Sequence, residues 1–467
     1  MRYMRADEMD KSDRGERSFA RTRQRRLKLW HIGVGLLCLA VAGLLVMRWH
    51  WRAQFHRRIE AVRAAGFPVT WQELDAWYPW PSAGRNAADW VLGAEDCCWK
   101  LTAKDARRLE QIVSRSATGL GLVEPLPDDL KALLEQHIGN NAKALALLHE
   151  VGAGFDGRYP VDLSKGWVAA TQHITSVRDS VMLLGLEAVL GAEHRDPNGT
   201  ARAIEAALSV AGSLDQEPML SSHTVRMWGS VWAAWALERA LRHVEFTEGQ
   251  LARLHRAFGD IRGRDGLQRA LVGNRCIFLR IFEKPTSLDS RVFGRLPPVP
   301  VSEAYDALGL PAREGAIFLD YTQECIRIAG LPASRRLRAS KDADTRYLRR
   351  AGAHLLSKVA SLSGLIRQET PAVAWLEVTK TALAVERYRL ARGKLPEALG
   401  QLVPDYLPAV PEDPFDGTPL RYRRTERGFV VYSVGEDGND DGGKAAPPAA
   451  QGKPAAHEYD ITFTIEW

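Results

Sequence analysis

The sequence is poor in cysteine, and none of its cysteines falls in a recognisable motif. Five occur in 467 residues: Cys38, Cys97, Cys98, Cys276 and Cys325. So few cysteines exclude a disulfide scaffold, and their spacing fits neither a zinc site nor a redox pair. We expect them to act mainly as small buried apolar residues, with one bridge from Cys97 or Cys98 to Cys276 or Cys325 left open.

The motifs of the common enzyme classes are also missing. We find no glycine-rich phosphate loop, no H-E-x-x-H, no G-x-S-x-G and no repeated aromatic-basic stripe for nucleic acid. Arg158-Tyr159-Pro160 with Asp162 is interpreted as a structural turn with an Arg to Asp pairing. The histidines on helical patterns stand singly and are interpreted as structural: His173, His223, His243 and His255. The sequence therefore favours a non-enzymatic protein.

Outside the N-terminal segment, the positive and negative residues nearly cancel, so the net charge there is close to zero. The net charge is +6, and residues 2–28 alone contain ten Lys or Arg and five Asp or Glu, a net of +5. Basic residues that concentrate beside an apolar stretch indicate a membrane surface, not a nucleic acid. We predict that residues 1–28 form a disordered basic tail.

The apolar stretch from Trp30 to Met47 reads WHIGVGLLCLAVAGLLVM and carries no formal charge. About 18 residues at 1.5 Å each are just enough to cross the hydrocarbon layer of a bilayer. Trp30 at one end and Trp49 and Trp51 at the other suit the two interfaces. No small-residue cleavage site follows, so we predict a retained transmembrane helix over residues 29–48 that contacts the lipid bilayer through residues 30–47.

Residues 49–369 are predicted to form a mainly α, irregular, solenoid-like body of helical hairpins. Helical patterns alternate with short breaks between Pro127 and Ile261. Capping boxes open helices at Thr70–Glu73 and at Thr247–Gln250. Small residues recur where helices would pack closely: Gly185, Ala188, Ala192, Ala203 and Ala207.

Residues 370–467 are predicted to form a small α+β module. Thr370-Pro371 predicts a helix start, and the runs RYRR, FVVYS and ITFTIE predict a three-stranded antiparallel sheet. The loop from Asp437 to Gly442 matches the opening of a calcium loop, but Pro448 stands where an EF-hand has its glutamate. The following insertion, KAAPPAAQGKPAA, is expected to be disordered.

The last 80 or so residues resemble the C-terminal half of the type II secretion system major pseudopilin, the protein G type. The resemblance is carried by Gly393–Pro396, Asp413-Pro414-Phe415 with Gly417, and Tyr432–Gly435 with Asp437-Gly438. It implies a structural calcium site made of the Val434 carbonyl, Asp437, Asn439 and Asp460. Asp441 is added to this set because of its spacing.

The whole chain resembles membrane-anchored bacterial envelope proteins that join a span, an AGFPVTWQELDAWYP-type opening, a helical body and this module. Unlike pseudopilins, the span carries no glutamate near its start, and we do not expect it to pack into a filament. The charges that flank the span are nearly balanced, so the orientation comes from the relatives. They imply the inner membrane, a cytoplasmic N-terminus and a periplasmic body.

Two functions are carried forward from these observations. The first is an accessory or interaction component of a type II secretion or pilin-like system. The second is an extracytoplasmic enzyme, or a carbohydrate- or peptide-binding protein, with a site in the helical body where Trp71, Trp77 and Trp80 converge with Arg158.

Overall fold

A computed structural model describes residues 4–81, 84–113, 125–152, 154, 156–168, 171–261, 266–283, 299–348, 361–445 and 459–467. The fold is mainly helical, as predicted, with 68% helix and one three-stranded sheet in the described residues. The first helices are Met4–Ala64 (α1), Trp71–Trp77 (α2), Ala87–Asp96 (α3), Ala103–Val113 (α4), Asp128–Asn140 (α5), Ala142–His149 (α6), Gln172–Glu193 (α7) and Pro197–Gly212 (α8). The others are Leu220–Ala240 (α9), Glu248–Asp260 (α10), Gly266–Glu283 (α11), Val299–Ala307 (α12), Leu310–Ala329 (α13), Ala333–Leu348 (α14) and Leu362–Arg392 (α15).

Helix α1 contains the predicted span and extends beyond it on both sides. The apolar side chains of the span are exposed, and the helix is long and apolar enough to cross a membrane. The helix also runs through the basic segment, for which the sequence predicted disorder over residues 1–28. Residues 4–64 contain no proline to interrupt a helix that runs from the basic segment into the span. The helix ends at Ala64, and Gly66 adopts the left-handed conformation expected there, with a φ of 81°.

The described residues form two compact units. The first joins Met1–Ala61 to Ile281–Ala316, and the second joins Val62–Arg280 to Ile317–Trp467. In the first unit the Phe55 ring and Phe282 lie directly against Gly315. A Cβ built on Gly315 would come within 2.5 Å of the Phe55 ring and 2.9 Å of Phe282, so only glycine permits this approach.

The second unit is built on α7, α8 and α9, which pack side by side over α3, α5 and α6. The small residues predicted to allow close packing are buried on α7 and α8. A Cβ on Gly191 would lie 2.7 Å from the Thr200 hydroxyl, which shows how closely the two helices meet. Both predicted capping boxes are confirmed, because each threonine accepts from the residue three positions on, Glu73 or Gln250, whose side chain bonds back.

Helix α15 begins earlier than predicted. Its N-cap is Ser361, whose hydroxyl accepts from Gly364 N at 3.0 Å, and Pro371 lies inside the helix. The predicted start at Thr370-Pro371 is therefore wrong. The Thr370 hydroxyl instead donates to the Ile366 carbonyl at 2.6 Å. Thr370, Ala372 and Val373 are buried, and this packing stabilises the helix on both sides of Pro371. An isolated helix would be broken by a proline so far from its first turn.

The sheet consists of Arg421–Thr425 (β1), Gly428–Ser433 (β2) and Ile461–Glu466 (β3), antiparallel in the order β1-β2-β3. This confirms the three predicted strands. Phe429 and Val431 on β2, with Phe463 and Ile465 on β3, are buried against α15. Most of the insertion predicted to be disordered, residues 446–456, lies outside the described residues.

The sheet shares one hydrophobic core with the helices of the second unit. Glu238 on α9 accepts from Thr464 N at 2.9 Å, and Arg242 donates to the Thr464 carbonyl at 2.6 Å. These bonds occupy backbone groups of β3 that would otherwise face away from the sheet. The predicted boundary between a body at 49–369 and a module at 370–467 therefore crosses continuous core within α15.

Candidate functional site

A cavity of about 550 Å³ opens in the second unit among helices α3 to α7 and α9. Its walls are apolar and consist largely of buried side chains, among them Leu109, Leu148, Leu183 and Leu186. Trp99 and Trp232 also line it. The polar lining residues are Glu95, Cys98, Lys100, His137, Ser176, Arg178, Asp179 and Ser180.

Asn141 holds the segment that carries Trp99 against the cavity. Its amide oxygen accepts from Trp99 N at 2.8 Å, and its amide nitrogen donates to the Trp99 carbonyl at 3.2 Å. The same amide nitrogen donates to the His137 carbonyl at 2.9 Å. Asn141 is fully buried, and its amide satisfies both backbone groups of Trp99. These bonds position the segment around Trp99, which has no regular secondary structure.

The charged residues of the cavity are paired with one another. Glu95 accepts a hydrogen bond from Ser176 and lies 3.7 Å from the Lys100 ammonium. Arg178 and Asp179 form an ion pair at 2.8 Å. The cavity therefore presents an apolar interior beside neutralised charges, an arrangement that favours an uncharged, apolar group.

Burial shifts the pKa of two side chains at the cavity, Cys98 and His137, towards their neutral forms. Burial raises the pKa of the Cys98 thiol, which keeps the sulfur protonated at neutral pH. Burial also lowers the pKa of His137, which keeps the imidazole neutral. Ser176 donates to Glu95, so this hydroxyl has a carboxylate partner and no imidazole partner.

The tryptophans singled out in the sequence lie outside this cavity. Trp71 Nε1 donates to the Cys276 carbonyl at 2.9 Å, and Trp77 stacks under Arg269 at 4.7 Å. Trp80 is exposed, with the Arg158 guanidinium 4.4 Å from its ring. These three side chains serve packing and cation–π contacts, and the cavity is lined by Trp99 and Trp232, which the sequence did not single out.

Arg158 does form an ion pair with an aspartate, but the partner is distant in sequence. The guanidinium lies 3.3 Å from the Asp75 carboxylate and also donates to the Tyr78 carbonyl. Asp162, the neighbour expected from the sequence, is exposed and bonds Ser164 and Lys165. Arg158 therefore ties α2 to the turn that precedes α7.

Three of the four histidines that the sequence placed singly on helical patterns have structural partners, as predicted. His173 Nε2 lies 3.0 Å from both oxygens of Glu217, and its ring stacks on Tyr159 at 4.8 Å. His223 bonds Glu369 at 3.1 Å. His255 accepts from Arg387 at 3.2 Å, and burial lowers its pKa to about 4. The buried acid Glu217 gave no sequence signal, because its partner is 44 residues away.

The cysteines are free in the structure. Cys276 and Cys325 are buried, as the apolar interpretation expects, and the Cys276 thiol donates to the Pro68 carbonyl at 3.1 Å. Cys97 and Cys98 are partly exposed. No disulfide joins the described cysteines, so the bridge left open by the sequence is absent here.

The five predicted calcium ligands lie at one end of the sheet. Asp437 accepts from Asn439 N at 3.1 Å, and the buried Asp460 accepts from Gly443 N at 2.7 Å and from Asp441 N at 3.5 Å. Burial raises the pKa of Asp460. Val434, at the end of β2, donates its N–H to Asp413. The backbone amide of Asp441 therefore contacts the Asp460 carboxylate, and the backbone amide of Asn439 contacts the Asp437 carboxylate.

The loop offers oxygen donors of the type that calcium prefers. The exposed residues Asp437, Asn439 and Asp440 precede Asp441 in one glycine-rich turn. Asp440 was not in the predicted set and lies 3.9 Å from the Arg421 guanidinium. Among the described residues there is no group of three or more His, Cys, Asp or Glu side chains arranged to hold a metal. A calcium site here would therefore need backbone, Asn or water oxygens in addition to the carboxylates.

Asp413 joins two of the motifs that carry the pseudopilin resemblance. Its fully buried carboxylate accepts from Phe415 N, Ser433 Oγ, Val434 N and Arg421, at distances from 2.7 to 3.0 Å. Burial raises the pKa of Asp413. The Asp-Pro-Phe turn and the Tyr-Ser-Val-Gly strand end are therefore held together by this one side chain.

Comparison of the chain with protein-family models, with curated proteins and with solved structures gives no match. The pseudopilin resemblance therefore stays a prediction from the motifs quoted above. The features of the structure that bear on function are the cavity, the exposed apolar helix and the loop at the end of the sheet.

Proposed function

We propose that this chain is a non-enzymatic, membrane-anchored protein of the bacterial envelope that holds an apolar side chain of a partner protein in its cavity. The observation that carries the proposal is the cavity itself, about 550 Å³ with apolar walls beside charges that are already paired. Because these charges are paired, a group that fills the cavity need not carry a charge. Burying one Leu or Phe side chain there is worth about 1.5 to 3 kcal/mol.

The enzyme alternative has less support from the same residues. Cys98 Sγ donates to the Trp99 carbonyl and His137 Nδ1 lies 3.2 Å from the Asn141 amide nitrogen, so these contacts do not pair the thiol with the imidazole as a nucleophile and its base. The exposed Trp99 beside the carboxylate of Glu95 keeps a carbohydrate ligand as the second candidate, because sugars stack on such rings.

Helix α1 is the proposed anchor, crossing the inner membrane once. Its apolar side chains between Trp30 and Met47 are exposed, which is costly in water and favourable in lipid. We place the N-terminus in the cytoplasm and the body in the periplasm, following the relatives that the sequence resembles. Extraction at alkaline pH tests the anchor, since a spanning protein stays in the pellet, and protease treatment of spheroplasts tests the orientation.

Within this proposal, the partner belongs to a type II secretion or pilin-like system. The support is the order of the sequence motifs quoted above, two of which are in contact through the bonds of Asp413 to Ser433 and Val434. The acidic loop then binds calcium in a structural role through the Val434 carbonyl, Asp437, Asn439, Asp441 and Asp460.

The decisive experiment places a photo-crosslinking amino acid at Trp99 in the full-length protein in its native membrane, with Ala106→Trp as the blocking variant. Ala106 lines the cavity, so an indole there occupies the space. Ala103→Trp is the matched control, because Ala103 is on the same helix but exposed and outside the lining.

A secretion component that is crosslinked in the parent and in Ala103→Trp, but lost in Ala106→Trp, supports the proposal. Crosslinking to cell-wall glycan with the same dependence favours the carbohydrate alternative. Crosslinks that are insensitive to Ala106→Trp contradict a role for the cavity.

A further inference from the structure

The first unit brings a turn of the chain against the end of the apolar run. Arg48, which directly follows Met47, donates to the Ala307 carbonyl at 3.0 Å and lies 3.8 Å from the Asp306 carboxylate. A Cβ built on Gly309 would lie 3.2 Å from the Arg48 Cα, and Gly309 has a φ of 72°. The turn between α12 and α13 therefore touches α1 at the first residue after the span.

A second contact fixes the other end of this segment. The Arg313 guanidinium lies 6.0 Å from the centre of the Trp51 ring. From Arg48 to Trp51 the helix rises about 5 Å, which is close to the thickness of one headgroup layer. If the span ends at the hydrocarbon boundary, residues 306–313 lie at the depth of the headgroups.

The turn has the chemistry of a lipid contact. Leu308 is 41% exposed although it is flanked by the buried Gly309. Arg52 and Arg313 supply positive charge nearby on the same unit, and such residues favour anionic headgroups. Asp306 is already opposite Arg48 and adds little repulsion.

We propose that the turn Ala307–Gly309 is a second membrane contact, in which Leu308 enters the boundary between headgroups and acyl chains. The partner is the leaflet at the Met47 end of the span. This inference rests on the proposed crossing of the membrane by α1. It gives unit 1 a defined orientation on the bilayer, because a single helix alone leaves rotation about its axis unrestricted.

The test uses a photoreactive benzophenone amino acid in the full-length protein, reconstituted in vesicles of phosphatidylethanolamine and phosphatidylglycerol. It replaces Leu308, Leu39 within the span, or Leu390, which is 39% exposed and belongs to the second unit. Leu390 is the matched control because its exposure is within a few per cent of that of Leu308. After irradiation, lipid adducts are quantified at each site by mass spectrometry.

We expect strong adducts at position 39 and an adduct yield at position 308 that is several-fold above that at position 390. Adducts at position 39 with no excess at 308 over 390 would overturn the inference while leaving the anchor intact. An absence of adducts at position 39 would overturn the anchor, and the inference with it.

Discussion

Removing the Asp413 carboxylate should open the C-terminal sheet. The side chain is fully buried and accepts from two backbone amides, of Phe415 and Val434, from the Ser433 hydroxyl and from Arg421. In Asp413→Ala these donors lose their acceptor. Each buried donor left unsatisfied costs about 1 to 3 kcal/mol, and breaking a buried ion pair typically costs about 3 to 5 kcal/mol in all.

Asp416→Ala is the matched control for this prediction. Asp416 also pairs with Arg421, but its side chain is 28% exposed, and Arg421 keeps Asp413 when Asp416 is removed. We expect a cost of about 1 kcal/mol or less for such a partly exposed pair. Asp413→Asn should fall between the two, because burial raises the pKa of Asp413 and so already disfavours its charged form.

The assay is amide hydrogen exchange of the full-length protein in detergent micelles, read at Gly428–Ser433 and Ile461–Glu466. A loss of about 3 kcal/mol corresponds to exchange faster by roughly a hundredfold, if these amides exchange through opening of the sheet. Exchange in Asp413→Ala that is no faster than in Asp416→Ala would refute the reasoning, because it would mean that the carboxylate contributes nothing beyond a surface pair.

Three further predictions follow from the same structure. Calcium at about a hundred times its dissociation constant should stabilise the folded protein by about 2.7 kcal/mol, measured as a rise in melting temperature that Asp437→Ala abolishes; an equal rise in Asp437→Ala would contradict the site. His255 is buried beside Arg387 and Lys380 with a pKa of about 4, so the unfolded chain binds its proton first, and stability should fall by about 2 to 3 kcal/mol between pH 6.5 and 4. His255→Gln should remove that part of the loss in urea titrations, and an unchanged pH profile would argue against it. Thr70→Ala should cost about 1 kcal/mol through the lost capping box, whereas Thr70→Ser should cost little; equal costs in thermal unfolding would show that the hydroxyl does not matter.

Local signals in the sequence predicted local structure well. The capping boxes at Thr70 and Thr247 and the helix end at Gly66 each depend on residues only a few positions apart. Two of the strands followed from short β-rich runs and the third from alternation of apolar and polar residues, each within six residues or fewer. The contacts that define these features are made within the same short segment.

Predictions that ignored distant contacts failed. Thr370-Pro371 resembles a helix start, yet buried neighbours carry α15 through it from Ser361. Arg158 pairs with Asp75, 83 residues away, and not with the nearby Asp162. The link from Thr464 to Glu238 spans 226 residues and joins the sheet to the helical body, where the sequence indicated a domain boundary.

The sequence by itself determined the apolar helix that can cross a membrane, the mainly helical composition and the small antiparallel sheet. These depend on hydrophobic length and periodicity, which are properties of short segments. Only the tertiary structure decided where the cavity lies, which tryptophans line it and how Asn141 positions Trp99. The reason is physical: a cavity is the space left between helices that are far apart in the chain, and no single segment encodes it.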